Sequence, residues 1–239
     1  MIITNETDMP NFQRTLGDGS QFGLNIQYDI QRVQRGISDA FIIGERFIGS
    51  DEVCLVLGDN VFYSPDIGET ILEAPLSDKG AVVFGIPVPD PERFGVVAFD
   101  NDMKVTSLEE KPKHPKSNYA VVGLYFYDSK APALAKQLKP SARGELEITD
   151  LNLMYLERGE LNVRLFSDDV QWIDAGTFDS LLQSSQFVAE TEKRLGKKIL
   201  CPEIIAYEKG FVTKDQMLDW ISKNKDNEYF SAVKKFITG

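Results

Sequence analysis

The sequence predicts an α/β fold, a mixed and mostly parallel sheet flanked by helices, followed by a helical C-terminal appendage. Three observations carry this reading. Short apolar runs alternate with polar or amphipathic segments through the first half, the rhythm of βαβ units. Val53 to Leu57 and Ala81 to Pro87 are nearly continuous apolar runs, which suits strands covered on both faces. The chain after Gly196 offers helical candidates and no further strand pattern.

In chain order, Met1 to Thr4 reads as the end of a strand and Met9 to Leu16 as a short helix. The loop Gly17-Asp18-Gly19-Ser20 leads to a strand over Asn25 to Asp29. Ser38 to Ile48 is expected to form one helix, with Gly49 near its end. From Phe94 the pattern changes: Gly95 to Asp100 and Lys104 to Leu108 flank the polar turn Asn101-Asp102, as in a β-hairpin. Tyr119 to Tyr127 is a long aromatic and β-branched strand, Glu147 to Arg158 a helix, and Leu161 to Phe166 a further strand. Phe178 to Leu195 carries apolar residues at Leu181, Leu182, Phe187, Val188 and Leu195 and meets Gly196, a long helix with a glycine stop. Lys214 to Lys223 and Tyr229 to Ile237 complete the tail. No linker rich in Pro, Gly or Ser interrupts the chain, so the expected division is an α/β domain over 1–196 and a helical appendage over 197–239 packed on it.

A chain of 239 residues can bury a substantial core without disulfides or structural metals. Its 42% hydrophobic and 26% charged residues suit a folded protein rather than a disordered one. The formal charge of -11, from 37 acidic against 26 basic residues, argues against nucleic acid or an anionic membrane as partner. It leaves room for a local group of Lys and Arg on a small phosphorylated ligand. Cys54 lies in an apolar run and Cys201 precedes a proline, neither with a second cysteine at metal-ligand spacing, so a reducing, cytoplasmic compartment is the expectation.

Asp59 follows the run Val53 to Leu57, at the end of a strand where open α/β sheets hold their ligands. An Asx-turn on Gly58 explains it equally well. Asp174, in Trp172-Ile173-Asp174-Ala175-Gly176-Thr177, repeats the arrangement, and a capping or turn role is its plainer reading. Were the two to converge, they would suit Mg²⁺, which takes carboxylates together with retained water and substrate phosphates. Ser107 to Pro112 ends a strand in charge: either a solvated cluster, or Lys111 neutralising a phosphate with Glu110 accepting from sugar hydroxyls. Arg143 stands just before a helix, whose first N–H groups favour an anion, although a surface arginine is the alternative. His114 is the only histidine and sits among prolines and lysines, which excludes a histidine-based triad.

Together and in order, Leu16 to Gln21, Leu57-Gly58-Asp59-Asn60, Asp90 to Val97, Leu108 to Pro112, Ser117 to Val121, Gly123 to Tyr127, Ala142 to Asp150 and Trp172 to Thr177 resemble the sugar-1-phosphate nucleotidylyltransferases. Within that family the resemblance is to the branch that joins dTTP to glucose 1-phosphate at the head of dTDP-rhamnose synthesis. It implies a Rossmann-like fold of the nucleotide-diphospho-sugar transferase type and a reaction yielding dTDP-glucose and pyrophosphate. It implies that Asp59 and Asp174 bind Mg²⁺, that Gly95, Glu110 and Val121 contact the hexose, and that Lys111 and Arg143 hold its phosphate. Gln31 and Gly36 match positions that read thymine. A homo-oligomer, a tetramer by resemblance, is also implied.

The family's glycine-rich loop, G-G-x-G-T-R-L, has no counterpart in this sequence, and Met1 aligns inside the family's second strand. The expectation is therefore that the first βα unit is missing, that two strand edges lack a partner, and that this chain alone is weak or inactive. A non-catalytic protein binding sugar phosphates or nucleotides on the same scaffold is the alternative. Smaller departures are Asp39 where the family has glutamine, Val122 for a small polar residue, and Ala175 for threonine.

Overall fold

Residues 1–72, 80–224 and 227–239 are described by the structure, a computed structural model. The chain opens with β1 (Ile2–Thr4), α1 (Met9–Leu16), a 3-10 turn at Ser20–Phe22 and β2 (Tyr28–Ile30). Then come α2 (Asp39–Ile43), α3 (Glu45–Ile48), β3 (Val53–Val56), β4 (Asn60–Tyr63) and α4 (Ile67–Leu72). The middle holds β5 (Ala81–Pro87), a 3-10 turn at Pro91–Arg93, β6 (Gly95–Phe99), β7 (Val105–Glu110) and β8 (Tyr119–Tyr127). It continues with α5 (Ala131–Ala135), α6 (Ile148–Glu157), β9 (Leu161–Leu165) and β10 (Gln171–Asp174), and the chain ends in α7 (Phe178–Leu195), α8 (Pro202–Glu208), α9 (Lys214–Ser222) and α10 (Glu228–Thr238). No helix among the described residues is long and apolar enough to cross a membrane.

These elements divide into two units, Gln31–Gly176 and Met1–Ile30 with Thr177–Gly239. The larger unit is built on β8. One edge of β8 pairs antiparallel with β5, and the other is shared by β6 near its start and β3 near its end. The β6–β7 hairpin extends the sheet on one side, and β9 extends it on the other, parallel to β5. Alternation along β5 and β8 sorts their side chains to two faces. Val83, Tyr125 and Tyr127 join Phe41, Leu151 and Tyr155 in one core cluster. Val82, Phe84, Val122 and Leu124 join Phe166 and Val170 in the other.

The mixed α/β class read from the sequence is the one observed. The balance of strand directions differs from the expected predominance of parallel pairs: among the described residues only β1–β2 and β5–β9 are parallel. An apolar run that suits cover on both faces suggests parallel pairing, but β8 is largely buried while running against β3, β5 and β6. β3 also departs from expectation. Its residues alternate, with Cys54 and Val56 exposed, because only one of its faces packs. The one helix expected over Ser38 to Ile48 is two, since Gly44, at ψ 3°, leaves the helical course between α2 and α3.

In the smaller unit, β1 and β2 pair in parallel from Ile2 with Tyr28 to Thr4 with Ile30. Phe22 enters the same core as Ile204, Met217, Ile221 and Val233 of α8 to α10, which makes the first thirty residues and the chain after Thr177 one unit. Gly196 takes φ 66° at the end of α7, the left-handed stop that its position predicts. At the other end Thr177 Oγ1 accepts the Ser180 N–H at 3.2 Å and Ser180 Oγ accepts the Thr177 N–H at 3.1 Å, a reciprocal cap. Thr177→Ala is expected to lower unfolding free energy by about 1 kcal/mol, read from the midpoint of urea denaturation.

Candidate active site

Asp59 and Asp174 lie 115 positions apart in sequence and meet through a strand pair. β4 and β10 run antiparallel, Asn60 opposite Asp174, and the Ala175 N–H continues the ladder to the Asp59 carbonyl at 2.7 Å. Asp174 Oδ1 accepts the Gly176 N–H at 3.0 Å. A Cβ placed on Gly176 would stand 3.0 Å from Asp174 Oδ1 and 3.4 Å from Asp59 Oδ2, so the two carboxylates face one small space.

Asn60 ties this corner together. Its Nδ2 donates to Asp59 Oδ1 at 2.8 Å, and its Oδ1 accepts both the Trp172 Nε1–H at 2.7 Å and the Gly123 N–H at 3.0 Å. Three strands, β4, β8 and β10, are thereby held by one amide. Trp172 also meets the Phe94 ring edge-on, with centroids 5.2 Å apart, and the Arg93 guanidinium lies 5.3 Å from the centre of that ring. Arg93 is pinned to Asp90 at 2.7 Å, and Asp90 followed by Asp174 and Glu92 raises its pKa above the ordinary arginine value.

Two residues from Gly123 on β8, Val121 pairs with Gly95 of β6, which pairs in turn with Glu110 of β7. The three residues assigned to the hexose by resemblance thus form one row across the sheet. A Cβ on Gly95 would lie 3.4 Å from Thr149 Oγ1, 3.5 Å from Glu110 Oε2 and 3.8 Å from Val121 Cβ, so the row encloses a polar notch. Thr149 Oγ1 donates to Glu110 Oε2 at 2.5 Å and aims that carboxylate. Lys111 follows with φ 43°, a left-handed backbone that costs a lysine on the order of 1–2 kcal/mol. Its N–H is held by the Phe94 carbonyl at 2.9 Å. Strain of this kind gathers at ligand sites, where the surrounding structure holds it in place.

Arg143 closes the row. Its Nη2 reaches Glu110 Oε1 at 3.3 Å, Glu145 at 3.7 Å and Glu147 Oε2 at 2.7 Å, while its Nε donates to Glu147 Oε1 at 3.1 Å. Glu147, first among these partners, holds the guanidinium pKa above its usual value. On the glutamate, burial pushes the pKa up, but the Arg143 and Ser141 hydrogen bonds outweigh it and the net shift is downward.

Gln31 and Gly36 also come together: Gln31 Nε2 donates to the Gly36 carbonyl at 3.1 Å and to Asp39 Oδ2 at 3.0 Å. Asp39 is buried and paired with Arg35 at 2.6 Å. Resemblance matches Gly36 to a position that reads thymine, and the structure gives a reason for a glycine there. At φ 97°, any Cβ there would stand 2.6 Å from the Leu146 carbonyl oxygen.

The residues given site roles by resemblance thus fall in three neighbourhoods: Asp59 with Asp174, Gly95–Glu110–Val121 with Lys111 and Arg143, and Gln31 with Gly36. Sequence reasoning missed Asn60, Trp172, Thr149 and Glu147 as members. A signal existed for Glu147, because glutamate occupies the residue before α6, a position that favours Ser, Thr, Asp or Asn.

Among the described residues no three His, Cys, Asp or Glu gather into a cage. Two converging aspartates with few other protein ligands do match the needs of Mg²⁺, which keeps water and binds through one or two carboxylates plus substrate phosphates.

The profile of the nucleotidyl transferase family matches residues 1–191. Among similar proteins, a glucose-1-phosphate thymidylyltransferase of Neisseria gonorrhoeae is 51% identical over 214 residues, covering 90% of this chain and 74% of the relative. A solved Bacillus anthracis protein assigned the same activity, in complex with sucrose, superposes with a TM-score of 0.71 at 46% identity, over 78% of this chain and 74% of the other. A UDP-glucose pyrophosphorylase complexed with UDP-glucose superposes with a TM-score of 0.64 over 79% of this chain and 74% of the other; at 19% identity it speaks to the fold alone.

Proposed function

The chain belongs to the nucleotidyl transferase family, and we propose that within it the protein joins dTTP to glucose 1-phosphate, forming dTDP-glucose and releasing pyrophosphate. The observation that carries this reading is the convergence of Asp59 and Asp174 beside the Gly95–Glu110–Val121 row. A phosphate oxygen of the sugar substrate attacks the α-phosphorus of the nucleotide; the new P–O bond forms as the bond to the β-phosphate breaks, and pyrophosphate leaves.

In this reading Glu110 accepts from the sugar hydroxyls, and the small surface at Gly95 lets the ring approach the sheet. Lys111 and Arg143 neutralise the sugar phosphate and hold its attacking oxygen in place, a positioning effect that counts heavily in phosphoryl transfer. Gln31 and the backbone at Gly36 face the base. Asp59 and Asp174 would hold Mg²⁺, whose charge offsets that building on the phosphate oxygens.

The test is pyrophosphate release by the full chain with dTTP, glucose 1-phosphate and Mg²⁺, against a blank lacking the sugar phosphate. Release dependent on all three is expected. Its absence overturns the catalytic reading. The alternative is a sugar-phosphate-binding protein without catalysis on the same scaffold. Calorimetric binding of glucose 1-phosphate with no pyrophosphate release would select it.

A further inference from the structure

We propose that Glu147 is a positioning residue, which fixes the Arg143 guanidinium in the orientation that meets the sugar phosphate and is itself fixed by Ser141. The inference rests on the role given above to Arg143.

The contact is a fork. Nε to Oε1 at 3.1 Å and Nη2 to Oε2 at 2.7 Å are two charge-assisted hydrogen bonds that define the plane of the guanidinium as well as its place. Ser141 Oγ donates to Glu147 Oε1 at 2.6 Å and holds the carboxylate from behind. Burial is one-sided: the Glu147 side chain is 10% exposed and the Arg143 side chain 45%. The carboxylate therefore belongs to the scaffold, and the guanidinium faces outward with donors to spare, since arginine carries five N–H groups. An exposed pair four residues apart would contribute little, because water screens it and two mobile side chains must be held. Neither condition applies to a glutamate anchored in this way.

The local sequence points to the same conclusion. Glu147 occupies the N-cap of α6, yet its side chain makes no bond to the helix N-terminus. It turns to Arg143 instead, giving up the capping bond that Ser, Thr, Asp or Asn would make at that position. A local preference overridden without a local gain is characteristic of a functional site. Its backbone is anchored too, the Glu147 carbonyl accepting the buried Ser38 Oγ–H at 3.0 Å. An unrestrained arginine loses rotamer freedom when it clamps a phosphate; Arg143 has lost it before the ligand arrives.

The experiment is a double-mutant cycle on glucose 1-phosphate binding, measured by calorimetry on the full chain. Arg143→Ala is expected to weaken binding about tenfold or more, and Glu147→Gln about 5-fold. Within Arg143→Ala, adding Glu147→Gln is expected to bring no further loss. Ser141→Ala, which leaves both charges in place, is expected to weaken binding about 2-fold and likewise only when Arg143 is present. It carries the same cycle if Glu147→Gln fails to fold. An equal loss in both backgrounds would mark a merely structural role and overturn the proposal. If the wild-type chain does not bind glucose 1-phosphate, this inference falls together with the role of Arg143. If it binds without releasing pyrophosphate, only the catalytic reading falls.

Discussion

Asp59→Asn and Asp174→Asn are each expected to cut pyrophosphate release by on the order of 10²-fold or more, with the fold retained. Both changes keep shape and remove charge. The Asp59 backbone carbonyl still accepts the Ala175 N–H, and an asparagine oxygen can still accept from the Asn60 amide or the Gly176 N–H. What is lost is the anionic pair around one point, and with it the hold on a divalent cation at the place where charge builds on the phosphates. The double variant is expected to be no slower than the slower single one, because groups that act as a unit fail together. Steady-state pyrophosphate release and thermal unfolding of the same preparations check both parts. Retention of wild-type rates by either single variant would remove the metal role assigned here.

Gly123→Ala is expected to destabilise the larger unit by about 1–3 kcal/mol through overpacking alone. A Cβ at this position would sit 2.7 Å from Asn60 Oδ1, 2.8 Å from Asn60 Cγ and 2.8 Å from Leu57 Cδ1. Asn60 has to move, and when it moves the Trp172 indole N–H and the Gly123 N–H lose their acceptor, each at a further cost of about 1–3 kcal/mol if left unpaired. The same displacement withdraws the amide that aims Asp59 Oδ1, so activity is expected to fall with stability. Gly58→Ala is the control: nothing lies within 4 Å of a Cβ there, and its unfolding midpoint should change little. Urea denaturation of the two variants beside the wild type decides the matter, and coincident curves for Gly123→Ala and wild type would refute the packing argument.

Much of this architecture is legible in the chain. β5 and β8 stand out because buried strands need long runs of apolar and β-branched residues, and α7 because it is long enough for helical periodicity to repeat before its glycine stop. α5, five residues with Pro132 in its first turn, is too short to show a period, and the split between α2 and α3 turns on the backbone of a single glycine. Strand direction was not legible either, since an apolar run looks the same whether its neighbours run with it or against it. Asp59, Glu110, Lys111, Arg143 and Asp174 could be singled out by their places at the ends of strands and helices, where a plainer role was also open, and their site roles came with the resemblance. Asn60, Thr149 and Glu147 escaped because each acts on another side chain, and the partner is visible only once the chain has folded.

By itself the sequence determined the longest strands and helices, because these depend on composition and short-range periodicity, and the motifs that carry the family resemblance, because those stand in order along the chain. Only the tertiary structure decided that Asp59 and Asp174 face one space, that Asn60 receives an indole 112 residues away, and that a glutamate grips the arginine before a helix. The physical reason is register: the alignment of β4 on β10 and of β6 on β7 and β8 is chosen by hydrogen bonding and side-chain fit across the sheet, which no local stretch of residues encodes.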